Sequence, residues 1–323
     1  MNIQTPELPV DESLTLQKRI HIVMMASWIF LGVTFALSFG LAFARELIAH
    51  LLNTVFGASH LVWMIIIYTP AIFTILTTLL SSVMTLAYVK KQTGQSTLEP
   101  LKKTRFQFKW VIYGISNGAL VSILLNFVLM FFQWLTHIEI PETSMELPPN
   151  NPLVVFLVFV AVVIVAPICE ELVYRGTLCR LLAKTNKGFA VIFSALLFGL
   201  AHMNFDQGLP VFGLGIVFGY MYIRSGSIWV PILCHMFNNL YAFLVTLVLS
   251  YGWWGVANLL STGFLLLAVA GALVMVLQGR ELQAMSRLCF RAREQWKTVS
   301  QSVSFWLMVV IFLVYSILLV VMS

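Results

Sequence analysis

The chain has 323 residues, 60% of them apolar and only 10% charged, with a mean hydropathy of +0.92 and a net charge of +6. A soluble domain is roughly 45–50% apolar and about 25% charged, and no soluble fold of this size hides so much apolar side chain. The composition excludes a water-soluble globular protein and predicts an all-α, polytopic transmembrane helical bundle.

About 20 apolar residues cross a hydrocarbon core about 30 Å thick. Nine stretches read as spans in chain order: roughly 21–44, 62–88, 109–135, 153–174, 188–202, 210–224, 228–250, 253–277 and 303–322. The fifth and sixth are short and carry the polar or glycine-rich residues of segments packed inside a bundle. Residues 1–17 are polar, with Pro6 and Pro9, and read as a loosely held tail. They lack the pattern of a cleavable signal peptide, so the first span reads as a signal anchor. Residues 141–152, rich in proline and asparagine, predict an ordered extended loop, and residues 278–301 an amphipathic basic segment along the membrane interface. The chain divides into a tail and three scaffold spans (1–152), a core (153–250) and two further scaffold spans (251–323).

Lysine and arginine set the orientation. With nine spans, Lys18-Arg19, the 90–105 loop (Lys90, Lys91, Lys102, Lys103, Arg105), Arg175, Arg180, Lys184, Lys187, Arg224 and the 280–297 cations all fall on one side. The opposite loop carries Glu139, Glu142 and Glu146 and no cation. This places the N-terminus in the cytoplasm and the C-terminus outside; eight spans would break the agreement. The positive charge then calls for membrane lipids as partners, through anionic headgroups, and for no nucleic acid. The expected location is the plasma membrane of a prokaryote or the endoplasmic reticulum of a eukaryote. Cys169, Cys179, Cys234 and Cys289 fall at or near the reducing side with no C-x-x-C spacing, so they read as small buried side chains rather than disulfides.

Polar chemistry concentrates between residues 165 and 240. Glu170, Glu171 and Arg175 lie at the inner end of an apolar span, where a charge costs up to about 2.5–3.5 kcal/mol. Glu171 and Arg175, four apart with the glutamate first, are placed to pair on one helical face and pin the helix. Glu170, turned about 100° away, keeps no local cation and suits a general base. His202 closes the run Phe198-Gly199-Leu200-Ala201-His202, whose small residues admit a neighbouring backbone. His235 and Asn239, again four apart, follow Pro231 and offer two polar groups from one face, the arrangement that would hold an oxyanion. Glu170, His202 and His235 would also serve as three zinc ligands with one open position. No cofactor is favoured, and no His-Glu-x-x-His, Gly-x-Ser-x-Gly or phosphate-loop motif competes.

In this order, Glu170-Glu171-x-x-x-Arg175, Phe198-x-x-x-His202 and His235-x-x-x-Asn239 resemble the CAAX-processing and bacteriocin-processing family of intramembrane proteases, whose eukaryotic members are type II CAAX prenyl endopeptidases. The resemblance covers about residues 153–250. It implies that Glu170, assisted by His202, activates a water against a peptide carbonyl. It implies further that His235 and Asn239 stabilise the oxyanion, while Glu171 and Arg175 support the site. The implied substrate is a membrane-bound peptide or lipidated protein. Two other classes remain open on the residues alone: a non-catalytic scaffold or immunity factor, and a transporter using the buried Glu/His cluster. One geometric tension stands. Measured along the spans, Glu170 lies about 26 Å from the outer end of its helix and His235 about 10 Å from the basic side, whereas His202 lies about 20 Å into the fifth span. Convergence asks the fifth helix to tilt or to start below the membrane plane, with Met203–Gln207 lining a wet cavity.

Overall fold

The computed structural model describes residues 14–57, 59–102, 106–141 and 147–322. Most of the N-terminal tail, Lys103 and Arg105, and Glu142 to Glu146 of the outer loop therefore lie outside the described residues.

Twelve helices follow one another: α1 Leu16–Phe56, α2 Ser59–Thr93, α3 Glu99–Lys102, α4 Phe108–Thr136, α5 Pro152–Ala183, α6 Lys187–Leu200, α7 Phe205–Ser225, α8 Trp229–Ser250, α9 Trp254–Leu277, α10 Gly279–Phe290, α11 Arg293–Ser300 and α12 Val303–Met322. Among the described residues there is no strand. The chain is a polytopic helical membrane protein. Nine of these helices coincide with the nine apolar stretches. Seven of them (α1, α2, α4, α5, α8, α9 and α12) are long and apolar enough to cross a membrane.

α6 shows why a short apolar stretch need not face lipid. Gly188 through Leu200 are buried except for half-buried Ile192 and Leu196. A helix that is apolar all round belongs in a core, and here α5, α7, α10 and α12 pack about it. Asn186 caps its first turn, accepting from Phe189 N at 2.9 Å. α4 packs on α7, α8 and α9. Its Ser116 carbonyl would stand 2.1 Å from a Cβ on Gly271, so only glycine allows α9 so near.

Two boundaries differ from the sequence reading. The fourth span does not stop at residue 174: α5 runs on to Ala183, with Arg175 and Arg180 buried. Arg175 lies inside the bundle and is no loop cation. Arg180 can stay buried because it pairs with Glu99 and donates to the Ser96 carbonyl at 3.3 Å. The other difference is the 203–207 stretch. Only Ala201 to Asn204 leave the helix; Phe205, Asp206 and Gln207 form the first turn of α7, with Asn204 accepting from Gln207 N at 2.7 Å.

The extension of α5 removes the depth tension. Glu170 precedes the end of α5 by 13 residues and His202 follows the start of α6 by 15. On two antiparallel helices joined by a tight turn, both side chains stand about 20 Å from that turn. No marked tilt of α6 is required.

Candidate active site

The site grows from a proline. Pro167 lacks an N–H, and its ring crowds the carbonyl four residues back. The backbone of α5 relaxes into a π-helical stretch at Val160–Val165, and the N–H of Ala166 reaches back to the carbonyl of Ala161. In that register the Val162 carbonyl would turn next to residue 167, which has no proton to give. Asn239 on α8 supplies it: its Nδ2 donates to Val162 O at 2.8 Å. A second π-helical stretch, Tyr174–Cys179, follows the glutamates. Such turns cluster at functional sites because they re-aim side chains within a continuous helix.

Between the two π stretches the glutamates part company. Glu171 is 0% exposed, as is Arg175, whose Nη1 donates to Glu171 Oε1 at 2.7 Å. The same Oε1 accepts from His235 Nδ1 at 3.1 Å. Arg175 Nη2 donates to the Gly215 carbonyl at 3.2 Å, and its guanidinium lies over the rings of Phe198 and Phe218, 4.5 and 5.6 Å from their centroids. A buried charge pair needs this kind of enclosure, since desolvation alone costs several kcal/mol per ion. Within this pair two atoms, Glu171 Oε2 and Arg175 Nε, have no hydrogen-bond partner.

Glu170 is the more open of the two, its side chain 18% exposed. His235 stands beside it, with Nε2 3.8 Å from Glu170 Oε2. The imidazole of His235 thus stands between both carboxylates, stacked on Phe218 at 5.3 Å. Since a carboxylate oxygen only accepts, Nδ1 must carry a proton, and Nε2 donates only when the ring holds its second one. Phe198 brings the other imidazole in. His202 and His235 both pack edge-on to its ring, at 5.1 and 5.8 Å. His202 Nδ1 lies 2.9 Å from the Phe198 carbonyl and donates to it, so in the neutral ring Nε2 is the basic nitrogen.

The turn that presents His202 is tightly held. Asn204 Nδ2 donates to the His202 carbonyl at 2.8 Å, and Met203 adopts φ 57°, an uncommon conformation for a residue with a side chain. A Cβ on Gly199 would sit 2.7 Å from the Gly208 carbonyl, so the close approach expected of the small residues before His202 is used against α7.

Glu170, Glu171, Arg175, His202 and His235 therefore gather where α5, the α6–α7 turn and α8 converge, whereas Asn239 reaches α5 at Val162. His235 and Asn239 do share a face of α8, yet they reach different parts of α5: His235 the glutamates, Asn239 the Val162 carbonyl. Among the described residues no group of three or more His, Cys, Asp and Glu is arranged to hold a metal ion, the set Glu170, His202 and His235 included. Sequence reasoning missed Phe218 and the Pro167–Val162 pair. Phe218 stands between Gly215 and Gly219 on α7, and Pro167 three residues before the glutamates; proline inside an apolar span was the available signal.

Residues 152–241, the stretch that holds this convergence, match the family model for type II CAAX prenyl endopeptidase Rce1-like proteins. The likeness to that family lies in this stretch. Curated relatives agree. A putative membrane peptidase, YdiL of Bacillus subtilis, is 35% identical over 85 residues, 26% of this chain and 35% of the relative. A membrane-embedded CAAX protease, MroQ of Staphylococcus aureus, is 27% identical over 150 residues, 44% of this chain and 59% of the relative. CAAX prenyl protease 2 of Rattus norvegicus is 36% identical over 81 residues, 25% of this chain and 26% of the relative. The alignments thus span less than two thirds of each relative's length. No solved structure matches. The Rce1-like segment holds the glutamate pair, both histidines and Asn239; α1 to α4 and α9 to α12 lie outside it.

Proposed function

We propose that the protein is an intramembrane endopeptidase acting on membrane-associated peptides, with Glu170 as the general base. The observation that carries this reading is the unequal treatment of two adjacent carboxylates. Glu171 is neutralised by Arg175 and bonded to His235; Glu170 keeps no guanidinium and is open enough to meet water.

In the proposed reaction a water between Glu170 and His202 attacks the scissile carbonyl carbon and passes a proton to Glu170. The basic Nε2 of His202 accepts the water's other hydrogen bond and orients it. As the carbonyl oxygen becomes an anion, Nε2–H of a doubly protonated His235 donates to it, and so does the second Nδ2 hydrogen of Asn239, whose first is held by Val162 O. Collapse of the tetrahedral species breaks the C–N bond. The proton on Glu170 moves to the departing nitrogen, leaving an amine and a carboxylic acid, and the acid then gives its proton to the amine or to water. An oxyanion donor of this kind is worth about 10²–10³ in rate. No step is routed through a metal.

The names of the relatives direct the choice of probe to a prenylated CAAX-type peptide. Wild-type protein in liposomes is expected to cleave a farnesylated, fluorescence-quenched peptide of that type. Glu170→Gln is expected to leave no measurable cleavage while eluting as the same monodisperse species. Undiminished cleavage by Glu170→Gln would overturn the assignment.

A further inference from the structure

We propose that the face formed by α10 and α11 is a docking surface for the anionic headgroups of the surrounding bilayer, and that docking there holds the α6 hairpin that presents His202.

Arg280, Arg287 and Arg291 are all exposed and recur at spacings of seven and four, so they line one side of α10 and its C-terminal cap. Arg293 and Lys297, four apart, do the same on α11 and are also exposed. None of the five has an ion pair among the described residues. Glu281, one of the two acidic residues in the segment, is already committed, accepting from Arg224 Nη2 at 2.6 Å and from the Tyr220 hydroxyl at 3.2 Å. The other, Glu294, is exposed on α11 and faces five exposed cations in the segment, so the surface is net basic.

Its position matches a bilayer boundary. α10 and α11 join the end of one span, α9, to the start of another, α12. Leu277, Phe290 and Val303, each about four-fifths exposed, flank the cations. Apolar anchors beside unpaired arginines suit an interfacial helix lying among headgroups. An acidic soluble protein would pair with the cations but would leave those three side chains in water.

The opposite face is fastened to α6. A Cβ on Gly188 would lie 2.5 Å from the Cys289 backbone nitrogen, so α10 touches the base of α6 directly. Asn186 Nδ2 donates to the Leu288 carbonyl at 2.9 Å, and Trp296 of α11 packs edge-on to Phe189 and Phe193 at 4.9 and 6.1 Å. α6 is one rigid rod from these contacts to the turn at His202. A segment pinned to the headgroups at one end thus steadies the imidazole at the other. The docking stands apart from the peptidase reading; only its consequence for cleavage rests on it.

The test uses full-length protein in nanodiscs of phosphatidylcholine alone or mixed with phosphatidylglycerol, followed by hydrogen exchange. Each cation near an anionic surface strengthens attachment about fivefold at low salt. Phosphatidylglycerol is expected to slow exchange at least about fivefold across 279–300 and, in parallel, across 187–202. High salt should erase the difference, and Arg280→Gln/Arg287→Gln/Arg291→Gln should erase it while exchange in phosphatidylcholine stays as in wild type. Equal exchange in the two lipids, as a soluble acidic partner for this face would give, would overturn the docking. Slowing confined to 279–300 would overturn the link to α6. Because the readout needs no substrate, it stands whether or not Glu170 proves to be a base.

Discussion

Arg175→Ala is expected to be the most damaging single substitution in the core. The side chain is 0% exposed and offsets the charge of an equally buried Glu171 at 2.7 Å. Removing one partner of such a pair costs about 3–5 kcal/mol, because the remaining charge is left uncompensated in a dry site. The Gly215 hydrogen bond and the Phe198 contact are worth about 1 kcal/mol each at most, and their loss overlaps with the first figure rather than sums with it. Reversible unfolding in mixed micelles, followed by far-ultraviolet circular dichroism, gives the number. The paired variant Glu171→Gln/Arg175→Met separates charge from packing: with no orphaned charge it should recover most of the loss, to within about 1–2 kcal/mol of wild type. A loss below about 1 kcal/mol for Arg175→Ala, or a paired variant no better than the single one, would refute this account of the ion pair.

Pro167→Ala returns an N–H to the Val162 carbonyl, so Asn239 loses its sole claim on that acceptor. Cleavage is expected to fall about as far as in Asn239→Ala, and Pro167→Ala should cost nothing further in the Asn239→Ala background; additive losses would show that the proline acts by another route. Gly199→Ala drives a methyl group against the Gly208 carbonyl 2.7 Å away. Separation of α6 from α7 should displace His202 and lower kcat by about 10²-fold, with KM for the same peptide little changed. Unchanged kcat would mean that the turn absorbs the shift.

Much of this arrangement is legible in the sequence where one helix suffices to carry the inference. The i, i+4 spacing of Glu171 and Arg175 gives their ion pair, and the angle between adjacent residues separates Glu170 from it. Apolar runs mark where nine helices lie, and seven of these are long and apolar enough to cross a membrane. What stays hidden depends on partners distant in the chain. Arg180 looks like a charge that ends a span, because nothing nearby announces that Glu99, 81 residues away, will neutralise it and let α5 continue. His235 cannot be assigned to Glu171 from its own segment, 64 residues away. The bond from Asn239 to Val162 needs a π turn, a local register change that a regular period of 3.6 residues conceals.

The division of labour between the two glutamates is the centre of the account, and one paired comparison tests it: cleavage rate and unfolding free energy for Glu170→Gln and Glu171→Gln, measured side by side in the same lipid. The account predicts that Glu170→Gln abolishes cleavage with stability within about 1 kcal/mol of wild type, whereas Glu171→Gln loses about 3–5 kcal/mol of stability by stranding Arg175. A catalytically competent Glu170→Gln, or a dead but fully stable Glu171→Gln, would contradict it.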